Sequence, residues 1–363
     1  MMYLIFLKRR EQTRMVRKII SCLIITALSI FMVLGTVGCN SKKAPTAKKS
    51  APPDQVTFQL NWLPEEPVYW AAIDKGFWAE QNLDVKIIRG YGSVDTITKI
   101  ATKQAVFGRA DIGNLILARA QEGIKIKAVA TYHANYPSII IFKKSSGMKE
   151  PKNLEGKTIV TTAVSTMRTF WPVFAQAAGI DQSKVHWKIA DPALQRAIFI
   201  RGEADAFALS LHFFSQVEDL AGEPLDFFAY KDYGNSGRYG DVIFADEDTI
   251  TQNPDLVKRF IAGYLKGMRY CIENPSEVGK IIKKYAPEID ADMSVKSWQT
   301  ELGNNIMVTD ESQKYGLGWM SRDRMVKTID IVSKAYKLQK NITPETVYTT
   351  NFLPEEPVYP PKK

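Results

Sequence analysis

Polar and aromatic residues recur directly after strand-like segments of this sequence, in places where they could bind a small molecule. Parallel strands bring their carboxyl ends to one edge of a sheet, so such residues gather at a cleft. An indole face can stack on a planar ring, and amides, hydroxyls and imidazoles supply directional hydrogen bonds. We therefore predict a ligand-binding set consisting of Asn61, Trp62, Tyr91, Gly92, Ser93, Asn114, Tyr132, Thr162, Ser165, Thr166, His212 and Tyr239.

Structural roles compete with binding at several of these positions. Ser93, Ser165 and Thr166 stand where a helix begins, so they could simply cap helices. Trp62 could pack beneath a helix that begins near Pro67 and belong to the core. The convergence of such residues at strand ends in both halves of the chain favours binding over these alternatives.

The motifs of common catalytic, nucleotide and metal sites are not matched. Gly156-Lys157-Thr158 begins a strand, whereas a phosphate-binding loop follows one. His133, His186 and His212 lack the close spacing of metal ligands. The segment 234–238 does not have the spacing of a nucleophile elbow. We therefore predict a binding protein that is not an enzyme and needs no cofactor or metal.

The net charge of +9 comes from the first 53 residues. Beyond that point the chain has 38 basic and 38 acidic residues, which gives no reason to expect nucleic acid as a partner. Cys271 is the single cysteine of the region expected to fold, so no disulfide can form within it.

The amino-terminal region has the pattern of an export signal with a lipid anchor. Basic residues precede an apolar run at residues 19–37, and small residues lead to Cys39. We predict cleavage before Cys39 and acylation of its thiol, which would hold the protein at the outer face of the cell membrane. The run is also long enough to be retained as a membrane anchor. Translation from Met15 instead of Met1 would give a more conventional signal.

Alternating strand and helix patterns predict two α/β lobes with mixed, mainly parallel sheets. The pattern starts at Val56, restarts after Gly147 and becomes mostly helical after Tyr239. Two crossings, near residues 142 and 240, would form a hinge. The predicted division is a signal peptide at 1–38, a tether at 39–54, lobe I at 55–142 and 240–352, lobe II at 143–239, and a flexible tail at 353–363.

One heptapeptide occurs twice without a physical reason in the sequence. Leu-Pro-Glu-Glu-Pro-Val-Tyr stands at residues 63–69 and again at 353–359. The second copy falls in the predicted tail.

The order of several loose motifs resembles one family of transport proteins. The motifs are Phe58-Gln-Leu-Asn-Trp-Leu-Pro64, Gly76-Phe-Trp78, Ala110-Asp-Ile-Gly113, Gly202-Glu-Ala-Asp-Ala206 and Val347-Tyr-Thr-Thr-Asn-Phe-Leu353. Together they resemble the substrate-binding lipoproteins of ABC importers for nitrate, sulfonates, taurine and thiamine pyrimidine precursors. The resemblance implies a type II periplasmic-binding-protein-like fold, a monomer, a small-molecule ligand in the cleft and a membrane permease as partner.

Within that family, Asn61-Trp62 and Tyr348-x-x-Asn351 resemble the pyrimidine-precursor branch, in which the Trp would stack on the ligand ring. Glu65-Glu66-Pro67 replaces the polar stretch expected there, so another planar or amine-bearing metabolite remains an alternative. A receptor for sulfonate, taurine or nitrate is a second alternative. A pyrimidine synthase is a third, although such enzymes carry a cysteine cluster that this chain lacks. A surface adhesin with a vestigial cleft is a fourth.

Overall fold

The computed structural model describes residues 51–163 and 165–362 of the chain. The predicted signal peptide, Cys39 and nearly all of the tether lie outside the described residues. Within the described part, no helix combines the length and the apolar character needed to cross a membrane.

The described residues form ten strands arranged as two five-stranded sheets. Lobe I contains the order β2-β1-β3-β10-β4, and lobe II contains the order β7-β6-β8-β5-β9. This arrangement confirms the predicted two-lobed α/β fold. The strands are β1 (Asp54–Gln59), β2 (Leu83–Ile88), β3 (Phe107–Asp111), β4 (Ile126–Thr131), β5 (Ser138–Lys143), β6 (Thr158–Thr161), β7 (His186–Ile189), β8 (Ala206–Ser210), β9 (Leu225–Ala229) and β10 (Asp241–Asp246).

Helices cover both sheets and continue beyond the last strand. They are α1 (Val68–Asp74), α2 (Ser93–Ala101), α3 (Ile112–Leu117), α4 (Thr166–Ala177), α5 (Pro192–Ile200), α6 (Phe214–Ala221), α7 (Glu247–Gln252), α8 (Pro254–Glu273), α9 (Val278–Tyr285), α10 (Ala291–Gly303), α11 (Asp310–Tyr315), α12 (Arg322–Tyr336) and α13 (Pro344–Val347).

Each sheet has one reversed strand, which places the carboxyl ends of the others at the cleft. β10 is antiparallel to both β3 and β4 in lobe I. β5 has the same position in lobe II, antiparallel to both β8 and β9. The remaining strands of each sheet run in one direction, and their carboxyl ends meet at one edge.

The first crossing between the lobes lies earlier than predicted. Residues 138–142 were expected in lobe I, but β5 pairs with β8 and β9 of lobe II. The chain therefore crosses between Thr131 and Ser138 and returns between Ala229 and Asp241. The continuous apolar run of the segment predicts a strand but contains nothing that selects the sheet, because the pairing partners are distant in sequence.

The long helix α8 packs against α1 and forms one side of the core of lobe I. Its buried face recurs at helical spacing and includes Phe260, Tyr264 and Met268. Trp78 lies against this face and donates from Nε1 to the carbonyl of Phe260 at 2.9 Å.

The predicted flexible tail is instead packed on the protein. Val358 accepts a hydrogen bond from the backbone of Leu317 at 2.8 Å, and Pro360 is buried.

The two copies of the heptapeptide differ in conformation. Tyr69 lies within α1, whereas Tyr359 lies in irregular structure. Their surroundings, not the shared sequence, determine these conformations.

Arg238 links the two crossings that connect the lobes. It lies in the return crossing and is fully buried. Its guanidinium lies 3.8 Å from the ring centroid of Tyr136 in the outgoing crossing and 4.3 Å from that of Phe170 in lobe II. Nη2 of Arg238 also donates to both carboxylate oxygens of Asp111, at 2.7 and 2.9 Å. One buried cation therefore contacts both lobes and both crossings.

Candidate ligand-binding site between the lobes

The backbone around Trp62 is held rigidly while its side chain remains accessible. Gly90 donates to the carbonyl of Trp62 at 2.9 Å, and Gly92 donates to that of Asn61 at 2.7 Å. A Cβ on Gly90 would lie 2.0 Å from the carbonyl oxygen of Leu60, so only glycine allows this close approach. The Trp62 side chain is 44% exposed, which excludes it from the hydrophobic core. It therefore offers a fixed aromatic face.

Asn61, which follows β1, is linked by hydrogen bonds to β3 and β10 of lobe I. Its Nδ2 donates to Asp241 Oδ2 at 2.9 Å, and its Oδ1 accepts from Arg109 Nη2 at 2.9 Å. Arg109 comes from β3 and lies 4.7 Å from the ring centroid of Tyr132, which follows β4. The Tyr132 hydroxyl is buried and has no hydrogen-bond partner among the described residues.

The two glutamates that depart from the family pattern are at the centre of this arrangement. Glu66 is buried and forms an ion pair with Arg109. Glu65 places Oε2 3.2 Å from Nε2 of His212. Because Glu65 belongs to lobe I and His212 follows β8 of lobe II, this contact crosses the cleft.

A fully buried carboxylate on α10 extends the chain of charges. Glu301 lies 3.5 Å from Nε2 of His133 and 3.8 Å from Nδ1 of His212. His133 lies 3.9 Å from Asp241, which returns the chain of contacts to lobe I. At these separations Glu301 interacts electrostatically with both imidazoles, and neither of its oxygens has a hydrogen-bond partner among the described residues.

Burial and electrostatic contacts shift the pKa values of His212 and Glu301 in this cluster. Burial acts to lower the pKa of His212, but its interactions with Glu301 and Glu65 outweigh burial and raise the pKa to about 9. Burial acts to raise the pKa of Glu301, but its interactions with His133 and His212 lower it below the ordinary value. His212 is therefore protonated and Glu301 ionised at neutral pH.

Raising the pH is expected to destabilise the protein through His212. The folded pKa of about 9 exceeds the unfolded value of 6.5, so this stabilisation is complete below pH 6.5 and is lost as the pH rises through 9. The expected loss in the free energy of unfolding is roughly 3 kcal/mol at most. Urea unfolding at stepped pH measures it, and a His212→Asn variant should lack this component. Parallel curves for the two proteins would contradict the assignment.

The cluster carries more negative than positive groups. The carboxylates are Glu65, Glu66, Asp241 and Glu301, whereas Arg109 and His212 are the cations. Even a protonated His133 would leave the carboxylates in excess. A ligand that donates N–H groups or carries positive charge suits these surroundings better than an anion does.

Three further predicted site residues follow strands β2 and β3 of lobe I. Ser93 accepts a hydrogen bond from the backbone of Asp111 at 3.1 Å, which fixes the loop that carries Gly92. Tyr91 is 67% exposed and lies beneath the guanidinium of Arg89. Asn114 has a buried Oδ1 without a hydrogen-bond partner among the described residues. Asn61, Tyr132 and His212 belong to the cluster itself, and Trp62 follows Asn61 directly.

Other predicted residues have structural contacts of their own. Ser165 caps α4 by accepting from the backbone of Arg168 at 3.4 Å, and Thr166 is the first residue of that helix. Thr162 is half-buried after β6. The Tyr239 hydroxyl donates to Glu311 at 2.7 Å and accepts from the backbone of Ser321 at 2.9 Å. The Tyr239 hydroxyl is thus engaged with the protein itself.

The sequence reasoning missed Glu65, Glu66, Arg109, His133, Asp241 and Glu301 as members of the site. Glu65 and Glu66 were noticed only as a departure from a pattern. Arg109, Asp241 and Glu301 come from three distant segments, and no spacing in the sequence relates them.

Neither a metal centre nor a reactive thiol is present in the described part of the chain. No group of three His, Cys, Asp or Glu side chains there is arranged to hold a metal ion. Cys271 is fully buried in the core of lobe I, and burial raises the pKa of its thiol above the ordinary range. A neutral buried thiol of this kind is chemically inert.

Comparisons with known proteins agree with the fold. A family model described as NMT1/THI5-like matches residues 65–278. The riboflavin-binding protein RibY of Chloroflexus aurantiacus is 22% identical, over 91% of this chain and 97% of that protein. A formylaminopyrimidine-binding protein of Halalkalibacterium halodurans is 23% identical, over 70% of this chain and 77% of that protein.

Enzymes are also among the relatives. A 4-amino-5-hydroxymethyl-2-methylpyrimidine phosphate synthase of Legionella pneumophila is 22% identical, over 84% of this chain and 93% of that enzyme.

Among solved structures, the periplasmic aliphatic sulphonate-binding protein SsuA of Escherichia coli superposes with a TM-score of 0.64 at 13% identity. The match covers 86% of this chain and 95% of SsuA, and it shows the fold of periplasmic binding proteins. The chain belongs to the NMT1/THI5-like family, which confirms the resemblance in its motifs.

Proposed function

We propose that this NMT1/THI5-like protein is the solute-binding component of an ABC importer and captures a small organic molecule between its lobes. The contact of Glu65 with His212 at 3.2 Å carries this proposal, because it joins the two lobes beside the exposed Trp62. A ligand bound there touches both lobes and favours their closure. The binding proteins among its relatives support the same role.

The proposed ligand is a planar, amine-bearing molecule, with a thiamine pyrimidine precursor as the first choice. Trp62 offers an aromatic face for a ring. Glu65 and the neighbouring carboxylates accept hydrogen bonds from ring amino groups, which an aminopyrimidine provides. One relative of this chain is named for binding formylaminopyrimidine, which supports this choice.

The protein is proposed to act outside the cytoplasm, anchored through Cys39 and working with a membrane permease. The sequence pattern of residues 19–39 supports export. The periplasmic binding-protein fold supports the same location. One copy of the chain contains both lobes of the proposed binding site, so a monomer is expected.

A thermal-shift screen tests the ligand class. A ligand at ~100 times its dissociation constant adds about 2.7 kcal/mol to the free energy of unfolding, which raises the Tm by roughly 5 °C. The panel contains thiamine precursors, thiamine, riboflavin, sulfonates, taurine and nitrate. Aminopyrimidines or another planar amine should shift the Tm, whereas nitrate and simple sulfonates should not. A shift by sulfonates alone would overturn the proposed class, because it would require an anion site.

A pyrimidine synthase is the second candidate, since relatives with that activity match most of this chain. The single buried cysteine of the folded region argues against it, because the resemblance implies a cysteine cluster in such enzymes. Mass spectrometry separates the two functions. A receptor returns its ligand unchanged after incubation, whereas a synthase releases a pyrimidine phosphate that was not added.

A further inference from the structure

A cavity lined by Glu65 and by residues of lobe II lies at the lobe interface. It has a volume of about 260 Å³. Its walls come from the loop after β1, from lobe II around α6, and from the beginning of α10. Glu65, Phe213 and Ser297 represent these three parts of the wall. The cavity therefore depends on the two lobes and α10 lying together.

The charges on this wall have one sign. Three carboxylates line the cavity, those of Glu65, Glu288 and Asp290, and no lysine or arginine does. Glu288 has no ion-pair partner among the described residues. The Glu65 carboxylate uses Oε2 for His212, and its Oε1 has no hydrogen-bond partner among the described residues. Arg196 does not line the cavity but donates a hydrogen bond to Oε1 of the lining residue Gln216.

Ser297 is an independent sign of a ligand. Its side chain lines the cavity, although the residue is only 3% exposed. The hydroxyl makes no hydrogen bond to the described part of the protein. A hydroxyl of this kind, in a nearly buried residue beside a cavity, is free to bond a ligand or water held there. Its oxygen can accept a hydrogen bond from an ammonium group.

The remaining wall suits an organic cation better than a metal ion. Phe213, Ile289 and Met293 supply apolar and aromatic surface. Within the described residues, no group of His, Cys, Asp and Glu is arranged to ligate a metal. The volume falls below the roughly 300–1,000 Å³ of pockets that enclose drug-sized ligands, so the occupant is small.

We propose that this cavity binds a small protonated amine with an apolar or aromatic body. The ammonium group would lie among Glu65, Glu288 and Ser297, and the apolar body would lie against Phe213 and Met293. Because both lobes contribute to the wall, the amine binds the closed arrangement preferentially. Binding in the cleft and binding in this cavity should therefore strengthen each other by the same factor. The amine site does not depend on the proposed transport role.

Benzylammonium is the probe, with benzyl alcohol and phenylacetate as its neutral and anionic counterparts. Titration followed by NMR should show saturable binding of benzylammonium, with a dissociation constant on the order of 1 mM. Benzyl alcohol should bind at least tenfold more weakly and phenylacetate should not bind. No saturable binding of benzylammonium, or equal binding of phenylacetate, would overturn the proposal.

Variants locate the bound amine. Glu288→Gln and Ser297→Ala should each weaken binding about threefold, and the double variant about tenfold. Asp292→Asn is the matched control, because Asp292 is an exposed carboxylate on the same helix that does not line the cavity. Benzylammonium affinity that falls in Trp62→Ala but not in the double variant would place the amine in the cleft and overturn this site. Failure of the cleft to bind any planar ligand would leave the amine result unaffected.

Discussion

Replacing Trp62 by alanine is expected to weaken ligand binding about 10- to 100-fold and to leave the Tm nearly unchanged. Stacking on an indole contributes about 0.5–1.5 kcal/mol beyond the apolar area that it buries. The 44% exposed side chain contributes little to the core, so the loss of stability should stay near 0.5 kcal/mol. Isothermal titration with the ligand found by thermal shift measures the affinity, and calorimetry measures the Tm.

Trp78 provides the matched control for that experiment. It belongs to the same lobe but is 1% exposed and donates a hydrogen bond to Phe260. Trp78→Ala should cost about 3–5 kcal/mol of stability, as expected for a buried aromatic. If Trp62→Ala melts as low as this control, Trp62 is a structural residue, and the argument for an aromatic ligand fails with it.

Replacing Glu301 by glutamine is expected to produce the largest loss of stability of any single polar substitution in the cluster. The carboxylate is fully buried and lies between His133 and His212. Removing its charge takes away one of the two carboxylates that pair with the protonated His212, and losing one partner of a buried pair costs about 3–5 kcal/mol. The pKa of His212 should also fall, because one of the two carboxylates that raise it is lost.

Urea unfolding at pH 7 measures this effect, and NMR titration of the imidazole reports the pKa. Glu277→Gln is the control, since Glu277 pairs with Lys280 at the surface and should change stability by at most about 1 kcal/mol. A Glu301→Gln protein as stable as the control would show that this chain of charges contributes nothing to the fold.

Local sequence patterns predict most of the elements that carry the site. The apolar patterns of residues 83–88, 225–229 and 254–273 coincide with β2, β9 and α8 of the structure. These segments combine strong periodicity with clear turn or cap residues, so local chemistry and tertiary structure agree. The cleft position of Asn61 and Trp62 followed from the same reasoning, because residues after parallel strands must lie at one edge.

The charged cluster could not be predicted in this way. Arg109 stands in the middle of a buried strand, where a charge conflicts with the strand pattern unless its partners are known. Those partners, Glu66 and Asp241, are distant along the chain and meet Arg109 only when the sheet of lobe I has formed. The assignment of β5 to lobe II and the docking of the tail are likewise decided by contacts between distant residues. No local pattern in the sequence indicates these contacts.

The position of β10 sets an order for assembly as the chain emerges. All five strands of lobe II lie between Ser138 and Ala229, so that sheet can form without any later segment. Lobe I cannot do the same, because β10 is inserted between β3 and β4. Until β10 arrives, the apolar strand β4 has no neighbour in its own sheet and exposes both edges. The sheet of lobe II is thus the first that can be completed, whereas β4 of lobe I stays unpaired until β10 has been made.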